Sequence, residues 1–427
     1  MSVMHRRSFL QGSAAAGVLG LGACASPSMP SRARVVVVGA GYGGATAARY
    51  VRLLSQHKID VVLVEPDLSF VSCPLSNLVL GGSRQLADLT TAYDGLVRNH
   101  GVTLVRDRVA TVDSARKTVT LAGGVSIGYD KLVLAPGIDL QLDAIEGLAA
   151  AHASGRALHA WKAGPETIAL RRQLEALPDG GVYAITVPEA PYRCPPGPYE
   201  RACQVAWYFK QAKPRSKVLV LDANPDITSK AALFRRVWAE RYPGMVDYQP
   251  LHKLTSVDGA SGTLRFELQA DVKAGVINIV PPQRAGLIAV QAGLANQVGN
   301  RWVGVDYLNF ESTAARDVHV VGDAIQVAPA MPKSAHMANG HAKVAAAAIV
   351  AQLADWDVNP APMLTNTCYS FIDDRSVVHV ASVHEYVAAE KTFRAVSGSG
   401  GVSTGPNELE GRYAMDWARN IWMDTVG

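Results

Sequence analysis

The chain has 427 residues, too many for one hydrophobic core and enough for two to four domains. It is 48% hydrophobic and 18% charged, which excludes intrinsic disorder, and its 38 Gly and 23 Pro fall far short of a collagen-like pattern. The 41 Lys and Arg against 37 Asp and Glu leave a net charge of +4 with no basic cluster beyond Arg6-Arg7, so the electrostatic footprint of a nucleic-acid-binding protein is missing.

Residues 1–30 read as a targeting segment. His5-Arg6-Arg7-Ser8-Phe9-Leu10 is followed by an Ala/Gly/Leu run from Gly12 to Ala23 and then by small residues, the order of a signal peptide. The Arg pair before Phe-Leu resembles a twin-arginine signal, a route that carries folded proteins and suits a chain that takes up a cofactor before export. A periplasmic location is expected. Ala23-Cys24-Ala25 offers cleavage before Ser26, whereas Leu21-Gly22-Ala23-Cys24 has the form of a lipoprotein box that would acylate Cys24; both remain open. The apolar run is too short to span a bilayer and Val344 to Leu353 stops short as well, so no transmembrane segment is expected.

Val35-Val36-Val37-Val38 reads as a strand buried on both faces of a parallel sheet. Gly39-Ala40-Gly41-Tyr42-Gly43-Gly44 follows as G-x-G-x-x-G: Gly39 for the tight turn, Gly41 for approach of a pyrophosphate to bare backbone, Gly44 for close helix–strand packing. A second strand, Val61 to Val64, ends at Glu65, placed to accept hydrogen bonds from adenosine ribose hydroxyls. NAD or FAD would satisfy this much, and two later segments favour FAD. Tyr129 to Gly137 resembles the strand and Ala-Thr-Gly turn of two-dinucleotide-domain flavoproteins, with Ala135 and Gly137 in place and Pro136 where Thr is usual. Asp317 to Ala324 resembles their later strand-Gly-Asp element, which puts Asp323 against the ribityl and pyrophosphate region. A helix is expected from Ser334 through Ala348, its positive N-terminal end directed at the flavin.

Between the two flavin segments a second glycine fingerprint, for NAD(P)H, would be expected, and it is absent. The strand Gly181 to Val187 runs into Pro188-Glu189-Ala190-Pro191-Tyr192-Arg193-Cys194-Pro195-Pro196-Gly197-Pro198. Prolines remove N–H donors and fix φ, so this loop cannot cradle a pyrophosphate, and nicotinamide is disfavoured as reductant. Lys217 to Asp222 is the next strand, so the α/β layer persists without its usual ligand.

Of five Cys, Cys24 belongs to the signal, leaving Cys73, Cys194, Cys203 and Cys368. No C-x-x-C or C-x-x-C-H occurs, which excludes a thioredoxin-type motif, c-type haem attachment in this chain and structural-zinc spacing. The eleven His are scattered without a convincing ligand pair, and no metal site is expected. Val71-Ser72-Cys73-Pro74-Leu75-Ser76-Asn77, Tyr192 to Arg201 and Leu364-Thr365-Asn366-Thr367-Cys368-Tyr369-Ser370 together resemble the flavoprotein subunit of flavocytochrome c sulfide dehydrogenase, a family related to sulfide:quinone oxidoreductases. The likeness extends from about Arg34 to the C-terminus.

That resemblance implies FAD held covalently through an 8α-S-cysteinyl thioether at Cys73 and a redox-active disulfide between Cys194 and Cys368. It also implies Glu200 as an acceptor of the proton from the incoming sulfur nucleophile, although by its place in the sequence Glu200 reads equally as a solvated loop carboxylate, and Cys203 receives no role beyond packing. Hydrosulfide would open the disulfide, and the electrons would pass to flavin and then to a separate c-type cytochrome subunit in a heterodimer. Competing readings are a sulfide:quinone oxidoreductase, against which the lack of an evident amphipathic C-terminal anchor argues, and a non-catalytic electron-transfer or assembly module. Trp417 and Trp422 are read as aromatic core filling by default, with packing near the flavin or the partner surface as the alternative, and Gly398 to Ser403 as a flexible loop.

The expected fold class is α/β. Two Rossmann-like dinucleotide-binding domains are foreseen, the first FAD-binding and discontinuous (33–147 and 288–358), the second without NAD (148–287), followed by a C-terminal α+β interface domain (359–427).

Overall fold

The computed structural model describes residues 33–297 and 299–427, so the targeting segment and Cys24 lie outside the described residues. The chain opens with β1 (Arg34–Val38), α1 (Tyr42–Leu54), β2 (Asp60–Val64), the short helix α2 (Ser76–Gly81), β3 (Thr103–Val105) and β4 (Lys131–Leu134). All four valines of β1 are buried, as a strand covered on both faces requires, and each contributes roughly 1.5–3 kcal/mol relative to exposure.

A second layer follows: β5 (Ala157–Leu158), α3 (Pro165–Ala176), β6 (Val182–Val187), α4 (Gly197–Ala212), β7 (Lys217–Asp222), α5 (Ala231–Arg241), β8 (Val246–Gln249) and β9 (Val276–Ile279). The chain then returns through β10 (Val305–Asp306), β11 (Glu311–Ser312), β12 (Val318–Val320) and α6 (Ala335–Leu353). It ends with β13 (Met363–Phe371), β14 (Val377–Val387), β15 (Thr392–Ala395), β16 (Gly401–Val402) and α7 (Glu408–Val426).

Three sheets organise these elements. The first has order β10-β11-β12-β4-β1-β2-β3, parallel from β12 to β3 and antiparallel at the β10-β11 edge. Residues from both ends of the chain therefore build one sheet around the glycine turn. The second, β5-β9-β6-β7-β8, is parallel throughout. The third is the antiparallel set β13-β14-β15, with β16 paired to β14. This is the α/β fold of two-dinucleotide-domain flavoproteins with a C-terminal antiparallel-sheet domain. β16 corrects the expectation of a free loop over 398–403, because Gly401 and Val402 pair with Ala381 and Val380. The helix expected over 334–348 continues to Leu353, since its buried Ile349, Val350 and Ala351 still face the core.

Small residues set the spacing around the glycine turn. Gly43, Gly44, Ala45, Ala47 and Ala48 of α1 are buried and α1 packs against α6, with Asn339 Nδ2 donating to Thr46 Oγ1 at 2.9 Å across the seam. A Cβ on Gly44 would overlap the Gly39 carbonyl oxygen, and Gly39 itself sits at φ +89°, in the left-handed region. Gly41, by contrast, faces open space. Gly44→Ala is accordingly expected to give protein with less than a tenth of the wild-type flavin content, read from visible absorbance per chain. Full flavin content would contradict the packing described.

Candidate functional site

The turn after β1 and the end of β2 meet at Glu65, whose Oε2 accepts from Ala40 N at 2.6 Å and whose Oε1 accepts from Asp67 N at 2.8 Å. The carboxylate is thereby fixed beside the glycine turn. Ala135 N donates to Val38 O at 2.9 Å, and Gly137, at φ +64°, faces open space like Gly41. Across the sheet Asp323 is half-buried, desolvation raises its carboxyl above the ordinary range, and its Oδ1, itself shielded from solvent, lacks a hydrogen-bond partner among the described residues. A buried oxygen of this kind needs a donor, and a ribityl hydroxyl is one. Glycines open to space, a fixed Glu65 and an unpaired Asp323 suit a flavin dinucleotide. Gly39, Gly41, Gly44, Glu65, Ala135, Gly137 and Asp323 are the residues that would hold it.

The three cysteines singled out from the sequence reach this region on separate loops. Cys73 precedes Pro74 and Leu75, the latter at φ +72°, and its Sγ lies 3.5 Å from Ala163 N and 4.0 Å from Trp161 O. Its neighbour Ser72 meets Tyr42 Oη at 2.7 Å, and Trp422 Nε1 donates to the same phenol at 3.0 Å. Tyr42 begins α1, so this chain of contacts ties the Cys73 loop and the C-terminal helix to the glycine turn. Trp422 thus does more than fill the core.

Cys194 sits at φ +59°, an arrangement costing about 1–3 kcal/mol for a residue with a Cβ. Its N–H donates to Lys333 O at 2.9 Å, while Lys333 Nζ donates to Asp323 O at 2.8 Å, which couples the Cys194 loop to the flavin half. The preceding Arg193 donates to Trp161 O, the carbonyl beside Cys73. Under Cys194 a Cβ on Gly197 would come within 2.9 Å of the sulfur, so only glycine fits there. Cys368 lies on β13, where Asn366 Nδ2 approaches its Sγ at 3.5 Å. Asn366 Oδ1 accepts from Ser334 Oγ at 2.7 Å, and Thr367 N donates to His336 Nδ1 at 3.0 Å, which docks the strand on the start of α6. All four cysteines of the described residues are thiols. Burial weakens the acidity of the Cys194 thiol, with Glu200 and Cys368 adding to the effect; burial also raises Cys368, and Lys230 opposes it.

Glu200 is buried in the first turn of α4, not solvated on a loop. Its Oε1 accepts from Phe371 N at 2.8 Å and its Oε2 from Asn77 Nδ2 at 3.0 Å. Burial raises its carboxyl above the usual range while these donors pull the other way. Arg201 Nε donates to Asn77 Oδ1 at 2.9 Å, and its remaining donors reach His159 O, Ala160 O and Asn278 Oδ1.

Asn77, Lys230 and Lys333 had been assigned no role. Asn77 stands in the Cys73 motif and was open to notice; the lysines find their partners only through the tertiary fold. Cys203 is fully buried and accepts from Trp238 Nε1 at 3.2 Å, in keeping with packing.

Two further groupings were not visible in the spacing. His152, His159 and Glu166 converge closely enough to suit a metal ion. Trp161 N donates to His159 Nδ1 at 3.0 Å, however, which leaves the imidazole proton on Nε2, the atom 3.0 Å from Glu166 Oε2. Burial lowers His159 to about 4, so near neutrality the ring is an uncharged donor to Glu166 rather than a free ligand. The trio braces the 159–163 segment beside Cys73. At the end of β7, Asp222 accepts from Tyr199 Oη (2.6 Å), Tyr248 Oη (3.1 Å), Asn224 N (2.9 Å) and Asn224 Nδ2 (2.8 Å).

Comparison with known proteins bears on this geometry. Residues 167–281 match the family described as sulfide dehydrogenase [flavocytochrome c] flavoprotein chain, central, and residues 360–426 match flavocytochrome c sulphide dehydrogenase, flavin-binding. Residues 33–164 match pyridine nucleotide-disulphide oxidoreductase. A sulfide dehydrogenase [flavocytochrome c] flavoprotein chain of Chlorobaculum thiosulfatiphilum is 59% identical over 46 residues, 11% of this chain and 94% of that sequence. The chain belongs to the flavocytochrome c sulfide dehydrogenase flavoprotein family.

As a member of that family it carries a flavin-binding fold and is an oxidoreductase. A mitochondrial sulfide:quinone oxidoreductase of Dictyostelium discoideum is 25% identical over 304 residues, 68% of this chain; the match spans only 65% of that relative's length. The sulfide:quinone oxidoreductase structure from Aquifex aeolicus shares the fold, with a TM-score of 0.75 at 17% identity over 92% of this chain and 91% of the other.

Proposed function

We propose that this flavoprotein oxidises sulfide to sulfur or polysulfide through a Cys194–Cys368 disulfide, with FAD tethered at Cys73 and a c-type cytochrome subunit as electron acceptor. The observation that carries the reading is the approach of two partly buried cysteines, remote in sequence, to one place where each thiol feels the charges of Glu200 and Lys230. Hydrosulfide attacks one sulfur of the disulfide: a new S–S bond forms, the old one breaks, one cysteine becomes a persulfide and the other leaves as thiolate. The flavin, when bound, supplies the acceptor for the two electrons released as the sulfur atom is oxidised. Re-formation of the Cys194–Cys368 bond as product leaves returns the chain to its starting state.

The residues divide the work. Cys194 is held in place by Lys333 O and the bare backbone of Gly197, and Cys368 by Asn366 and the start of α6. Glu200, its carboxyl raised by burial, takes the proton that the incoming sulfur gives up. The partly buried Cys73 sulfur, braced against the 161–163 backbone and linked through Ser72 to the glycine turn, suits a tether to the isoalloxazine edge.

Nicotinamide is disfavoured as reductant by the Asp222 network. The acidic residue ending the second strand of a Rossmann unit ordinarily meets a ribose, and here Tyr199, Tyr248 and Asn224 of the same chain take its oxygens. Periplasmic delivery by the twin-arginine route, with Cys24 either removed or lipidated, belongs to the same reading: the cofactor is loaded before export.

Anaerobic addition of sulfide to the holoprotein is expected to bleach the flavin band. Cys194→Ser should keep its colour under sulfide yet bleach with dithionite, and Glu200→Gln should bleach about 100-fold more slowly. Full-speed sulfide bleaching by Cys194→Ser would refute the disulfide mechanism, and re-oxidation by a quinone analogue but not by a c-type cytochrome would refute the acceptor. For the tether, acid-precipitated protein should retain an FAD-sized mass increment on a peptide containing Cys73; recovery at the bare polypeptide mass would refute it.

A further inference from the structure

Lys230 is an ammonium buried among uncharged acceptors. It precedes α5 at φ +58°, and its Nζ donates to Ser370 Oγ at 2.7 Å, to Cys368 O at 3.0 Å and to Val378 O at 3.3 Å. The ring of Phe234 lies 5.7 Å away. These contacts orient the group without neutralising it. The charges that act on it are those of Cys368, Glu200, Cys194 and Cys203, the first being the largest. Burial lowers Lys230 to about 8, which still leaves it mostly an ammonium at neutral pH, and a neighbouring anion would hold that proton in place. A buried cation is costly beside an apolar side chain of similar volume, and a Met or Leu here would pack without that cost. Retaining the ammonium makes physical sense if an anion arises next to it.

We propose that Lys230 is a positioning residue whose charge stabilises the Cys368 thiolate formed when the Cys194–Cys368 bond opens. The proposal rests on the reading of Cys368 as a reacting sulfur. Opening the bond with hydrosulfide brings in one negative charge and leaves one on the departing sulfur, so no electron has yet left the sulfur atoms and the ammonium has a single anion to meet. Its hydrogen bond to the Cys368 carbonyl fixes it to the residue that would carry the charge.

The other groups around Cys368 do not duplicate this role. From α4 and the loop before it come Glu200 and Cys194, both anionic when ionised, and Cys203, a thiol held by Trp238. The start of α6 contributes Ser334 and His336; burial lowers His336 to about 4, so it is neutral near pH 7. On β13 the neighbour is Asn366, and β14 places Val380 opposite. The loop before α4 also carries Arg193, whose charge acts on Cys194, whereas Lys230, from the start of α5, is the cation whose charge acts on the Cys368 thiol, and it favours ionisation against the effect of burial.

The test uses the reduced holoprotein and iodoacetamide, with labelling of the Cys368 peptide followed by mass spectrometry as a function of pH. Lys230→Met should move the midpoint of Cys368 labelling up by at least about one pH unit, a tenfold lower thiolate fraction at neutral pH. Lys230→Arg should bring it back toward wild type, a rescue that loss of packing would not give. Lys230→Gln, which keeps polar contacts without charge, should behave as Met does and serves if Met fails to yield yellow, folded protein. A midpoint in either uncharged variant equal to wild type would overturn the proposal. The disulfide reading is scored separately by labelling before reduction: if Cys368 is already fully reactive there, that reading fails while the Lys230 comparison still stands or falls on its own midpoint.

Discussion

The Glu200 carboxylate is the point at which the three parts of this molecule meet. Its acceptors are filled by Asn77, four residues beyond Cys73, and by the N–H of Phe371, three beyond Cys368, while Glu200 itself lies in the helix entered from the Cys194 loop. One buried side chain thus sets the relative positions of three cysteine-bearing segments, two entering helices and one on a strand. Hydrogen bonds to a charged group contribute about 1.5–3 kcal/mol each, and leaving such a group buried and unpaired costs more. Arg201, bonded to Asn77 Oδ1 and lying 5.0 Å from the Trp161 ring, extends the junction to the segment alongside Cys73. Charges this deep would be a poor way to gain stability alone. Their value lies in fixing geometry.

A second set of contacts fixes the flavin half to the same frame. Trp422 holds Tyr42, Tyr42 holds Ser72, and Asn339 reaches Thr46 and Asp424, so the C-terminal helix is built into the wall around the glycine turn. Lys333 performs the matching task on the far side: its carbonyl receives Cys194 N, and its ammonium caps the carbonyls of Asp323 and Ile325 against the face of Trp302. The cysteine-bearing loops and the dinucleotide turn are therefore joined by one network of hydrogen bonds. Among the described residues no helix is long and apolar enough to cross a membrane.

Much of this was legible in the chain because it rests on local rules. The valine run, the glycine turn and the strand ending at Glu65 need only period, sterics and spacing, and the strand Lys217 to Asp222 matches its predicted span. Glu200 could be named but not placed: a carboxylate after a proline-rich loop reads equally as solvated, and burial depends on Asn77 and Phe371, both distant in sequence. Lys230 gave no signal, since Ser370 and Val378 approach it only once β13 packs against α4 and α6 and β14 pairs with β13. The His152–His159–Glu166 brace and the tyrosines around Asp222 were missed for the same reason. Local patterns announce elements; buried polar partners are chosen by the tertiary fold.

The central claim is that Cys194 and Cys368 form the bond that sulfide opens, and a non-reducing peptide map of the protein as isolated in air addresses it most directly. The account predicts one cross-linked species joining the peptide of Cys194 to that of Cys368, abolished by reductant, with Cys203 recovered as a free thiol. Separate, unlinked peptides for Cys194 and Cys368, or a link from either to Cys203, would contradict it.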